Sequence, residues 1–446
     1  MVTIKLKVIF LIICVLESMF LLISQAVGNT VLLSICLICF AVIVCSSAAK
    51  EMVLPVFLFF LPFSVLLKFQ PDTISVYTLG LVLVYLICFF KNGRKIPLAL
   101  FLLGSALLVF TFAVKIVYGY GITNDYIMFF SSMLFIPFII KELNKYYDFY
   151  WLTLFFSLGI IIAAITSQFM VVFPSINRFI SVIDMVGIIR RSGYYGDPNF
   201  YAMHITAALG GVLILILNST SKLKTFILSL ITILLLYCGF LSVSKSFVLV
   251  FSCMVVLWFI GLLLKQGRMS FKFMTVLVLT VGIVFLMFST VFTDNIADLI
   301  ERFTGAHSLD DLTTGRLEIW EKYLQAFEDD PLLLLFGKGY TKAFIGVKST
   351  HNTILQCIFQ FGILGSVIWF IWVILFVNFI LSKIKFKWGT FPQFCMLLIG
   401  VFGPWLAIDL MFFDELFLFP IYACVGTYYL NSEKQVEEIS KLNSLK

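Results

Sequence analysis

Apolar residues in this chain fall into long unbroken runs separated by short charged punctuation. A membrane-spanning helix needs about 20 mainly apolar residues, with a range of about 17–25. Runs of that kind predict fourteen spans, at roughly 8–27, 30–48, 52–67, 74–90, 97–117, 126–140, 149–173, 198–217, 225–243, 246–264, 273–293, 353–381, 390–408 and 414–431. The third and sixth are short. Two pairs, 225–264 and 390–431, form hairpins with very short connections, so a hairpin that fails to cross removes two spans and keeps the parity. The pattern predicts an all-α polytopic membrane protein with about 12–14 transmembrane helices, one integral domain over residues 1–446.

Two long polar segments interrupt the apolar pattern, 174–197 and 294–352. In the second, Leu317, Trp320, Leu324 and Phe327 recur at the spacing of one helix face. Thr314 and Gly315 stand at its start, and Pro331 just past its end. The larger loop is thus expected to carry short amphipathic helices, on the membrane surface or over a cavity. Simple packing on the bundle fits the same spacing.

Charge placement sets the expected orientation. Basic residues in short loops mark the cytoplasmic side. Lys5 and Lys7 precede the first span, and every second loop then carries a basic group: Lys50, Lys91 with Arg94 and Lys95, Lys141 with Lys145, Lys222 with Lys224, Lys265 with Arg268 and Lys272, and Lys383 with Lys385 and Lys387. Lys434, Lys441 and Lys446 extend the same side. Both termini are expected in the cytoplasm and both polar segments outside it. The first run reads as a retained span, not a cleaved signal peptide.

Composition narrows the class. Hydrophobic residues are 61% and charged residues 12%, against roughly 45–50% and about 25% in soluble domains. That balance excludes a soluble globular protein, a disordered chain and a nucleic-acid binder. All ten cysteines lie in apolar stretches, with no disulfide framework.

Ten basic residues on the expected outer side break the charge rule: Arg178, Arg190, Arg191, Lys245, Arg302, Arg316, Lys322, Lys338, Lys342 and Lys348. Half of them are Arg, against two of the nineteen on the cytoplasmic side. Arg offers a planar fork for bidentate phosphate contacts, whereas Lys acts as a point charge. An Arg-rich outer surface suits a lipid-linked phosphate or pyrophosphate; surface pairing with local acids is the plainer reading, preferred for Arg178 and Arg302. Arg191 opens RSGYYGDPN, where Asp197 and Pro198 fit the start of a helix. A helix N-terminus beside Arg is an anion site, although Asp197 and Asn199 also fit a simple capping role. Arg316 lies in TGRLEIW, followed by FGKGY at 336–340 and by Ser349-Thr350-His351-Asn352. Of three histidines, His204 falls inside a span and His307 in mid-loop, while His351 stands where the outer loop re-enters the membrane. An ionisable residue at that boundary is a functional candidate. The sequence has no nucleotide-binding loop, no DxD and no Cys/His cluster of zinc spacing. An outer-face enzyme of this composition would need an already activated substrate.

These segments in this order, RSGYYGDPN at 191–199, SKS at 244–246, TGRLEIW with FGKGY, and HNTILQCIFQFGILG at 351–365, resemble the O-antigen ligase/polymerase family, which includes O-antigen and capsule polymerases and the lipopolysaccharide ligases. Lys245 departs from the Arg often found at its position in that family. The resemblance implies metal-independent, cofactor-free glycosyl transfer outside a bacterial plasma (inner) membrane, from a polyprenyl-pyrophosphate-linked oligosaccharide. It also implies membrane lipid, a flippase and a chain-length regulator as partners. In that scheme Arg191 and Arg316 clamp the pyrophosphate and His351 takes the acceptor hydroxyl's proton, since histidine ordinarily titrates near pH 6.5. Asp197 or Glu318 is the second choice of base. Tyr194, Tyr195 and Trp320 would stack on sugars, and Lys245, Asp197, Asn199, Lys338 and Asn352 would line the substrate. A repeat-unit polymerase is the leading expectation and a ligase its alternative. A transporter of the lipid-linked glycan would instead place charged or broken helices near mid-membrane, where Glu17 and Lys115 are the clearest charges within spans.

Overall fold

The computed structural model describes residues 4–50, 52–70, 73–92, 97–143, 148–177, 179–183, 188–264, 290–305, 313–342, 345, 349–381 and 387–431. Most of the expected span 273–293, the basic stretches 265–272 and 383–386, Arg94, Lys95, Lys145, Arg178, His307, Lys348 and the tail from residue 432 lie outside these residues.

In order, the helices are α1 Ile4–Val27, α2 Thr30–Ala49, α3 Val53–Phe60 with a 3-10 extension Leu61–Leu66, α4 Val76–Asn92, α5 Leu98–Val117, α6 Asn124–Leu143 and α7 Phe149–Met170. A short α8, Pro174–Asn177, precedes a two-stranded ribbon, β1 Ser181–Ile183 and β2 Ile189–Arg191. Then come α9 Pro198–Asn218, α10 Lys222–Leu241, α11 Lys245–Leu264, α12 Thr290–Thr304, α13 Arg316–Asp329, α14 Pro331–Phe336, α15 Thr353–Leu381, α16 Phe391–Phe402 and α17 Glu415–Asn431. Among the described residues, nine helices are long and apolar enough to cross a membrane, and 53–66, 76–88 and 124–139 form shorter apolar helices. The protein is an all-α polytopic membrane protein.

Helix α9 is the axis of the bundle. It is apolar on every side and buried from Phe200 to Leu217, as expected of a helix enclosed by others and not by lipid. Helices α7, α10, α11 and α16 pack around it. Helix α3 explains how a short span survives: all eight of its residues are buried. It presses against α7 at Gly159, where a Cβ would stand 2.2 Å from the Phe59 carbonyl oxygen.

Contacts between distant parts of the chain sort the helix ends onto two faces. At one face Lys7 pairs with Asp148 at 2.9 Å, the Lys224 ammonium sits 5.3 Å from the Tyr150 ring centre, and the Lys387 backbone N–H donates to Asn431 at 2.7 Å. At the other face the Gln25 amide donates to the Leu66 carbonyl at 2.7 Å and Ser175 to the Gln25 carbonyl at 3.0 Å. The two polar segments meet at this second face, called the loop end below.

Helix α15 is broken. Gly362 has φ 63° and ψ −178°, so carbonyls just before it lack their partners one turn on. The 337–340 loop fills the gap: the N–H groups of Lys338, Gly339 and Tyr340 donate to Phe359 at 3.0 Å and to Gln360 at 2.9 and 3.2 Å. Only glycine fits at Gly337, where φ is +71° and a Cβ would lie 2.3 Å from the Gly362 nitrogen. The Lys115 ammonium donates to the Tyr340 carbonyl at 3.0 Å and Lys342 pairs with Asp125 at 2.8 Å, tying the loop to α5 and α6.

Candidate functional site

The segment before α9 is set by the short ribbon. Ser181 pairs with Arg191 and Val182 with Arg190. Successive strand residues point to opposite faces, so the two arginines diverge. Arg190 is buried; its Nε donates to the Ser242 carbonyl and its Nη2 to Asn199 Oδ1, both at 3.1 Å. Arg191 is half-buried on the other face. Asn199 Oδ1 also accepts the Ser244 hydroxyl at 3.0 Å. Asp197 caps α9, accepting the Asn199 N–H at 2.8 Å. Asp197 and Asn199 therefore join the ribbon, α9 and the α10–α11 turn into one polar unit.

The start of α13 approaches the same unit. Gly315, at φ 76°, is its N-cap, and the left-handed turn there sets Arg316 at the first position of the helix. Burial pushes the Arg316 guanidinium below its ordinary pKa; the Asp197 carboxylate counters this, Arg302 adds to it, and Asp409 counters it. Arginine stays charged through any such shift. Arg302 donates to the Val243 carbonyl in the α10–α11 turn. Arg190, Arg302 and Arg316 are thus gathered around Asp197, Asn199 and residues 242–244.

Asp409 organises the third segment of the site, residues 349–352. It is buried and accepts the Thr350 hydroxyl, the His351 N–H at 2.9 Å and the Asn352 N–H at 3.3 Å. His351 takes φ 47°, a left-handed conformation rare outside glycine, and these bonds hold it there. Its imidazole is partly exposed and makes no hydrogen bond among the described residues. Asn352 caps α15, accepting the Ile354 and Leu355 N–H groups at 3.0 and 3.1 Å. The cap of α15 is thus supplied by Asn352 and not by His351. The Trp320 indole donates to the Thr350 carbonyl at 2.9 Å, docking α13 on the same turn.

Other candidates lie elsewhere. The Tyr194 ring is fully buried against Phe63 and its hydroxyl donates to Thr166 at 2.8 Å, leaving no face open for a sugar. Tyr195 donates to Glu415 at 2.7 Å, and Glu415 also bonds His204 Nε2 at 2.9 Å. His204 is enclosed, in keeping with a structural histidine. The Lys338 ammonium sits 4.4 Å from the Tyr118 ring centre and that of Lys245 5.7 Å from the Phe303 ring centre. Glu318 is exposed and pairs with Lys322 at 2.6 Å.

Sequence reasoning counted Arg190 only as one of the outer basic residues, passed over Asp409 and Glu415, and left Arg302 to the surface. Asp409 and the adjacent Asp414 and Glu415 did carry a signal, as acids at the ends of apolar runs. Arg190 carried none, because adjacent arginines are equivalent until the strand separates them.

The arrangement sets the half-buried Arg316 guanidinium within electrostatic reach of Asp197, Arg302 and Asp409, a cationic group suited to an anion. It presents an imidazole on the same loop end, carried by a turn that Asp409 holds. Residues 230–370 match the model of a family described as O-antigen ligase (Wzy_C). No curated protein matches the chain.

Proposed function

The O-antigen ligase match over residues 230–370 supports placing this chain in the O-antigen ligase/polymerase family, and from that premise we propose that it polymerises polyprenyl-pyrophosphate-linked oligosaccharide units outside the cytoplasm. The observation that carries the reading is convergence of segments far apart in the chain: the Trp320 indole joins 316–320 to 349–352 through the Thr350 carbonyl at 2.9 Å, and Arg316 lies within electrostatic reach of Asp197 and Asp409.

In the proposed reaction the acceptor sugar hydroxyl attacks the donor's anomeric carbon. The bond from that carbon to the pyrophosphate oxygen breaks, and the electron pair leaves on the polyprenyl pyrophosphate. Arg316, with Arg191 or Arg190, stabilises the charge gathering there; preorganised donors aimed at developing charge are often the largest single contribution to such catalysis. His351 takes the hydroxyl proton as the new carbon–oxygen bond forms. Asp409 is a positioning residue in this scheme, acting through the His351 backbone. Metal ions and cofactors have no part in it.

Purified protein in vesicles with a synthetic lipid-linked repeat unit should produce a ladder of multimers. Transfer only to an added lipid or protein acceptor would establish the ligase reading instead. Movement of intact donor across the bilayer without transfer would establish a transporter.

A further inference from the structure

The larger polar segment contains a stretch that is not polar. Helix α14 reads PLLLLF, with no charge between Asp330 and Lys338. Leu333 is buried, but Leu332 is 62% exposed and Leu335 and Phe336 are also exposed. In water, four exposed or half-exposed apolar side chains within five residues, Leu332, Leu334, Leu335 and Phe336, would be a liability. Their neighbours show where they lie. The Phe336 ring packs 6.4 Å from that of Phe110 on α5, and α14 packs along α15. Phe110 stands seven residues before the end of α5 at Val117, about 10 Å down the helix axis at 1.5 Å per residue. Around it, Val109, Phe112 and Ile116 form the exposed apolar side of α5, with Ile116 at 63%. Helix α5 is one of the apolar spans, so that side faces lipid.

Both ends of α14 return to one level. Asp330 at its start acts electrostatically on Tyr118, and the Lys338 ammonium after its end lies over the Tyr118 ring. Tyr118 and Tyr120 stack just beyond α5, where aromatic residues mark a membrane interface. The Lys338 backbone is fixed to Phe359 at the α15 break, while its charged head reaches the aromatic pair, as a lysine stem does when its head seeks water.

We propose that α14 is a membrane-inserted hook: residues 331–336 lie among the acyl chains of the leaflet at the loop end, and Asp330 and Lys338 mark its surface. The hook fixes the height of α13 and of the 337–342 loop against the bilayer. It stands apart from the proposed activity, and its test requires no turnover.

The native protein would be reconstituted in phosphatidylcholine vesicles carrying a photoactivatable diazirine near mid-acyl chain, irradiated, digested and mapped by mass spectrometry. Adducts on Leu332, Leu335 or Phe336, at yields within about threefold of those on Phe112 and Ile116, are expected. Adducts on the α5 residues with none between 331 and 336 would overturn the proposal. A second measurement uses Leu332→Trp, which keeps the site apolar. Its added fluorescence should be quenched by acyl-brominated lipid and spared by aqueous iodide; the reverse pattern would also overturn it.

Discussion

Arg316 and His351 depend on acids that hold them from a distance, and that dependence separates the effects of single substitutions. Arg316→Ala should abolish elongation with the protein still in the membrane, and Arg316→Lys should restore only part, because ammonium cannot make a bidentate fork. Comparing Arg190→Lys with Arg191→Lys in the same elongation assay tests which guanidinium serves the anion. The buried Arg190, bonded to Asn199 and Ser242, should be the more sensitive. His351→Asn should cut turnover about 10²–10⁴-fold, the size of a general-base contribution. It should leave the melting temperature near that of the native protein, since Asn352 supplies the cap of α15. Single-turnover kinetics with the lipid-linked donor would check this; a near-native rate would remove His351 as the base. Asp409→Ala should act differently. It strands the His351 N–H, leaves the Asn352 N–H with only the Thr350 hydroxyl and frees a left-handed turn, at a cost of about 1.5–3 kcal/mol for a charge-assisted bond. Both thermal stability in detergent and turnover should fall.

The break in α15 shows how an element can be one run in sequence and two helices in space. Residues 363–381 beyond Gly362 reach about 28 Å at 1.5 Å per residue, close to the thickness of the hydrocarbon core. The piece before Gly362 is therefore free to carry Gln356 and Gln360, whose side chains receive the Met411 N–H at 3.1 Å and the Thr341 N–H at 2.6 Å. The break lies at the loop end, beside Lys115 and the end of α5, and not at the centre of the bundle where a transporter would place it. His204 and Glu415 are likewise near the loop-end starts of α9 and α17. Gly337→Ala should be damaging, because both its positive φ and the approach of Gly362 forbid a Cβ. A loss of about 1–3 kcal/mol, seen as a lower melting temperature, is expected. Gly389→Ala, where a Cβ meets nothing within 4 Å, should change stability by less than about 0.5 kcal/mol.

At the scale of the molecule, the two faces of the bundle invite a direct measurement of sidedness. In a variant without native cysteines, Gln325→Cys on exposed α13 should react with an impermeant thiol reagent in intact cells, and Gly389→Cys should react only after permeabilisation. The opposite pattern would invert the expected orientation. Much of this architecture was legible in the chain, because lipid imposes its demand locally: each crossing needs its own run of apolar residues and its own hydrogen-bonded backbone. Spans 8–27, 97–117, 198–217 and 353–381 each answer to that demand without reference to any other part of the chain. The helical character of α13 and the boundary position of His351 were legible for the same reason, but the packed face of α13 was not: Ile319, Tyr323 and Phe327 are buried while Leu324, on the face expected from the sequence, is exposed. The enclosure of Tyr194, the division of labour between Arg190 and Arg191, and the use of Asn352 as a cap were not. Asp409 binds residues 57 to 59 positions away, and Glu415 meets His204 across 211. No local pattern encodes such a pairing. The sequence by itself determined where the chain enters and leaves the apolar phase; only the packing of the helices decided which polar groups meet there, since a buried polar group must find its partner wherever the fold brings one within reach.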